Sequence, residues 1–193
     1  MPAPKIMIIR HAEKPTSTAA GVTISGSPDS DSLIVQGWQR AGALVALFDP
    51  ARGPMQSTEL VTPQFLFTAA SSGEEGNRPQ ETILPLQTKL GLKPTLISKT
   101  KSDPSTGLTE LANAAMACNG PVLISWPHGE IPGLTALIPV NPPSPFSANW
   151  SWPKDRFDIV FVFDLDTTSG KYTFTQVPQL LLDGDSSTPI PTN

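Results

Sequence analysis

The sequence predicts an α/β protein, a three-layer α/β/α sandwich with a mostly parallel sheet and an antiparallel edge hairpin. Three observations lead there. Short, uninterrupted apolar runs such as Ile6–Ile9 and Val122–Ile124 read as strands buried on both faces. Stretches with helical spacing alternate with these runs, which favours parallel strands covered by helices. Near the C-terminal end, two strand-like segments flank Asp166-Thr167-Thr168-Ser169-Gly170, a hairpin turn that adds antiparallel pairing.

The first element, Lys5 to Ile9, ends in Arg10-His11 and a charged loop. Residues 16–32, rich in Ser, Thr, Gly and Asp, have the composition of an exposed, mobile loop. Leu33, Val35, Trp38, Ala41, Leu44, Val45 and Phe48 follow the helical period, with Gly37 a mild breaker near the start and Asp49-Pro50 as the stop. Residues 63–70 form the second strand. Asn77 is a candidate N-cap for a helix over 78–90, with Pro79 suited to the first turn and Gly91 to the C-cap.

Pro94 to Ile97 reads as a short strand, Leu108 to Ala117 as a helix, and Pro121 to Trp126 as another buried strand. A short helix follows over 131–138. Residues 140–154, dominated by Pro, Ser, Asn and Trp, read as a long loop, in which Trp150 and Trp152 suit a lid over a site and a plug over the core equally. Strands over 157–165 and 172–177 close the chain. Residues 184–193 are expected to fray, so that 1–193 forms one domain with a loose tail.

Thirteen basic and seventeen acidic residues give a net charge of −4, which favours neither nucleic acid nor an anionic membrane as partner. An anionic substrate then requires a local positive cluster. Cys118, the single cysteine, excludes an intrachain disulfide and reads as a small buried side chain. No apolar run approaches the ~20 residues of a membrane span, and the first run is too short for a signal peptide, so a cytoplasmic location is expected.

The two histidines, His11 and His128, each fall just past the carboxyl end of a buried strand. Parallel strands deliver such ends to one side of the sheet, where ligands bind. Arg10 beside His11 suits an anionic group, phosphate above all. Arg78 opens a helix, where a cation gains nothing from the dipole unless an anion is held there too. Neutral imidazole is a good nucleophile. His11 is the candidate to attack a phosphoryl group whose oxygens Arg10, Arg78 and His128 would hold, with a carboxyl group protonating the leaving alcohol. No Gly-x-Ser-x-Gly elbow supports a serine hydrolase, and no glycine-rich phosphate loop follows the first strand.

Arg10-His11-Ala12-Glu13 resembles the Arg-His-Gly/Ala signature of the histidine phosphatase superfamily, also called phosphoglycerate mutase-like. Residues 36–41 resemble its Gly-x-x-Arg-Ala helix, Arg78 to Thr82 its Arg-x-x-x-Thr segment, and Pro121 to Gly129 the strand that delivers its second histidine. The resemblance covers most of the chain. It implies a phosphohistidine on His11, a phosphate pocket of Arg10, Arg78 and His128, and no metal or cofactor. The implied partner is a small phosphorylated substrate or a phosphoprotein.

The implied activity is phosphomonoester hydrolysis. Mutase-type phosphotransfer and a non-catalytic module that binds phosphorylated ligands are the alternatives. The family's serine after the second strand is replaced around Thr68-Ala69-Ala70, for which residues 71–77 could substitute. The general acid is open among Glu130, Glu13 and Asp103. Glu130 is favoured because it starts a helix beside the pocket, although a carboxylate in a first turn also suits the helix dipole alone.

Overall fold

A computed structural model describes residues 2–70, 77–98, 104–142, 146 and 150–192. Among the described residues, six strands and four helices follow in the order β1 (Lys5–Arg10), α1 (Val35–Phe48), β2 (Phe65–Ala69), α2 (Arg78–Leu90), β3 (Thr95–Ile97), α3 (Pro104–Met116), β4 (Val122–Trp126), α4 (Ile131–Ala136), β5 (Ile159–Asp166) and β6 (Lys171–Pro178). They form one sheet of order β3-β2-β4-β1-β5-β6. The first four strands in this order run parallel, whereas β5 is antiparallel to β1 and β6 antiparallel to β5. This is the predicted α/β sandwich.

Side chains of a strand alternate between faces, and the sequence uses both. Met7, Ile9, Leu66 and Leu123 pack with Leu44 and Phe48 of α1 and Ile83 and Leu86 of α2. On the other face, Ile6, Ile8, Phe67 and Ile124 pack with Leu111 and Ala115 of α3 and Leu134 of α4. Ile6 to Ile9 have no exposed surface, as a strand covered on both sides requires. Gly91 closes α2 in the left-handed region, φ 66°, and its N–H caps the last turn.

Several boundaries move. α1 starts at Val35 rather than near Gly37, and α3 starts at Pro104 rather than Leu108. β5 starts at Ile159 rather than at Phe157. Cys118 is half-buried, its Sγ donating to Ala114 O, and burial raises its pKa. No helix among the described residues is long and apolar enough to cross a membrane.

The tail, expected to fray, makes specific hydrogen bonds with the body of the protein. Asp185 accepts two hydrogen bonds from Arg40 and two more from the Leu181 and Leu182 amides. Gln176 bonds both the N–H and the carbonyl of Ile190, which is buried in the core. Trp150 Nε1 donates to Pro191 O. The tail lacks secondary structure but is fixed by partners far away in sequence. The two tryptophans of the long loop form a plug: Trp152 is buried, and Trp150 and Trp152 pack on Phe161 of the sheet.

Candidate active site

β4 lies between β1 and β2 in the sheet although it follows both in sequence. The carboxyl ends of β1 and β4 are hydrogen-bonded neighbours, Arg10 facing Trp126 across the ladder, with β2 next to them. His11 continues from β1, its N–H donating to Trp126 O. His128 follows β4 after a single proline. The two imidazoles meet with ring centroids 6.3 Å apart and planes 78° apart. The sheet thus joins two histidines that the chain separates.

His11 has no exposed surface, and its Nδ1 lies 2.7 Å from Ala12 O. A carbonyl only accepts, so Nδ1 carries the proton and Nε2 the lone pair of the neutral ring. Burial, with the charges of Arg10 and Arg78 and with His128, lowers the pKa of His11 to about 3; the bond to Ala12 opposes this in part. His128 is lowered to about 4, chiefly by burial, then by Arg10, Lys14 and Lys154. Its Nδ1 is buried without a hydrogen-bond partner among the described residues. Both rings are therefore neutral at pH 7, and the positive charge around them resides on arginine and lysine.

Arg10 is buried at the end of β1. Its Nη1 donates to the carbonyls of Pro153, Lys154 and Arg156 at 2.8–3.1 Å, and its Cζ lies 3.8 Å from the centroid of Phe157. Phe157 in turn lies 6.2 Å from the His11 ring. Arg78, at the first position of α2, is buried and donates through Nη1 to Ser30 O. Thr82, one turn on, accepts from the Ala12 N–H and donates to Arg78 O, which ties α2 to the strand–loop junction behind His11.

Residues 16–32 are mostly exposed, as expected, yet well anchored. Trp38 Nε1 donates to Val22 O, and Glu81 accepts from Ser32 Oγ and the Leu33 N–H.

The carboxylate candidates part ways. Glu13 lies behind the site: Oε1 accepts from both Nε and Nη2 of Arg40, and Arg40 also binds Asp185. Gly37 makes this possible, because a Cβ there would lie 2.6 Å from Glu13 O. Glu130 stands at the start of α4, where Oε2 accepts from Trp126 Nε1 at 2.9 Å. Asp103 and residues 71–76 lie outside the described residues. Thr68 is inside β2, fully buried, its hydroxyl without a partner among the described residues. Sequence reasoning passed over Phe157, Lys14 and Lys154. The last two were readable only as surface lysines, since nothing local signals that they approach His128.

No family model and no curated protein matches the sequence. Among solved structures, the chain is similar to a mycobacterial glucosyl-3-phosphoglycerate phosphatase in complex with VO3, at 13% identity and a TM-score of 0.54, over 90% of this chain and 97% of that one. It is similar to a candidate alpha-ribazole-5′-P phosphatase of Escherichia coli at the same identity and TM-score, over 90% and 94%. The parallel β2-β4-β1 core, with the two histidines at its carboxyl edge, is thus part of a fold shared with these two structures.

Proposed function

We propose that this protein is a phosphomonoester hydrolase that works through a phosphohistidine on His11. The observation that carries the reading is the meeting of His11 and His128, 6.3 Å apart, where the charges of Arg10 and Arg78 act on the same buried imidazole. The phosphatase names of the two similar structures support it.

Nε2 of neutral His11 attacks phosphorus while the bond to the leaving oxygen breaks. The low pKa of the ring means that no proton need be removed first. The phosphorylated ring is a cation, and its Nδ1–H keeps the bond to Ala12 O. Arg10, Arg78 and His128 hold the equatorial oxygens, where charge must be neutralised in the transition state. Glu130 gives its proton to the leaving alcohol; its bond to the Trp126 indole orients the carboxyl group. Water then attacks phosphorus, the glutamate takes its proton, and the P–N bond breaks to return neutral His11.

The test is a phosphoenzyme assay with an aryl phosphate. Wild type is expected to turn over and to form an acid-labile, alkali-stable adduct, and His11→Ala to do neither. Vanadate binding without turnover would instead make the protein a phosphate-binding module.

A further inference from the structure

The Ser32 hydroxyl stands between two carboxyl groups. Its Oγ lies 2.7 Å from Glu81 Oε1 and 2.8 Å from Asp29 Oδ2. A hydroxyl has one hydrogen, so Ser32 can donate to Glu81 or to Asp29 but not to both at once. With both groups ionised, one of these short contacts sets lone pair against lone pair. A second proton in the cluster removes the conflict.

The surroundings favour Glu81 as its holder. Asp29 Oδ1 accepts from the Asp31 N–H, and that bond, with the one from Ser32, keeps the Asp29 pKa below its ordinary value. Glu81 is half-buried, and burial, helped by the charge of Asp29, raises its pKa against the opposing effects of Ser32, the Leu33 N–H and Arg78. Two other charged groups stand nearby: Asp31 on the loop, and Lys93, which lines a surface cavity together with Glu81.

The cluster also ties this loop to the helix that carries Arg78. In the first turn of α2 the Asn77 N–H donates to Asp31 O and Arg78 Nη1 to Ser30 O, while Glu81 Oε2 accepts from the Leu33 N–H. Residues 29–33 thus form the seat on which the Arg78 guanidinium rests.

We propose that Glu81 is a positioning residue for Arg78 and works as a proton-held latch. While Glu81 is protonated, Oε1–H donates to Ser32 Oγ, Ser32 donates to Asp29, and the seat is closed. As pH rises, the proton passes to water, two carboxylates compete for one hydrogen, the seat loosens and the anion site weakens. The latch rests on the reading of Arg78 as a phosphate ligand.

Glu81→Gln copies the protonated state at every pH, because its amide N–H donates to Ser32 and its oxygen accepts from Leu33. Calorimetric binding of sulfate, at constant ionic strength, compares it with wild type; both proteins keep the two histidines, so the ratio isolates Glu81. As pH rises through the Glu81 midpoint, wild type is expected to lose about three- to tenfold in sulfate affinity relative to Glu81→Gln. The Glu81 carboxyl resonance is expected to titrate above the ordinary 4.5, and Asp29→Asn to lower its midpoint and move the affinity step with it. A constant affinity ratio, or a midpoint unmoved by Asp29→Asn, would overturn the latch while the phosphate site stands. Failure of wild type to bind sulfate or vanadate at any pH would overturn both.

Discussion

The guanidinium of Arg10 lies over the ring of Phe157, 3.8 Å from Cζ to centroid, while one of its nitrogens gathers three carbonyls of the 153–156 turn. A residue that the sequence marks for phosphate is also the anchor of a loop 143–146 positions away. Lysine keeps the charge but has neither the planar fork nor the stacking surface. Arg10→Lys is therefore expected to lower kcat about 10²–10³-fold, the effect of losing one transition-state donor. It is also expected to cost at least about 1.5–3 kcal/mol in urea unfolding, the value of one hydrogen bond to a charged group.

With only two histidines, the imidazole resonances are simple to follow. Neither ring is expected to titrate near 6.5; midpoints near 3 for His11 and 4 for His128 follow from burial and neighbouring cations. Inorganic phosphate should raise both, because a bound anion favours the protonated rings. The folded-state values lie below the unfolded ones, so the unfolded chain takes up protons first. This part of the stability is fully present above pH 6.5 and is lost as pH falls toward 4 and 3. Urea midpoints across that range check it, and His11→Asn should flatten the profile.

Arg40 binds Glu13 and Asp185 with all three side chains almost fully buried. Removing one member of such a group leaves uncompensated charge inside, at roughly 3–5 kcal/mol. Arg40→Met should show that loss by urea unfolding, and adding Glu13→Gln should recover part of it, as expected for residues in contact.

Leaving-group dependence tests Glu130. A proton donor matters for an alkoxide and little for a phenolate that leaves unaided. Glu130→Gln is expected to slow alkyl phosphate turnover about 10²–10⁴-fold and aryl phosphate turnover far less. Equal losses would indicate that the glutamate only supports Trp126.

The strands and both histidines were legible because the signals are local: four apolar residues before Arg10, four before Pro127 broken only by Ser125, and glycine at the end of α2. What was not legible depends on partners far away in sequence. The polar tail looks loose until Asp185 is set against Arg40, 145 positions earlier. Trp150 and Trp152 look like a lid or a plug until Phe161 lies beneath them. Glu13 was a candidate acid only while Arg40 had no assigned place.

The direct pairing of β1 with β4 acts as a ruler. Because Arg10 faces Trp126 across one ladder, the gap between the two imidazoles is set by main-chain spacing and by the single residue Pro127. Insertions in peripheral loops leave that gauge untouched, whereas a deletion or insertion at position 127 would throw the two rings out of step while the rest of the scaffold folds. The architecture can therefore vary its periphery widely under selection, but hardly at all along this seam.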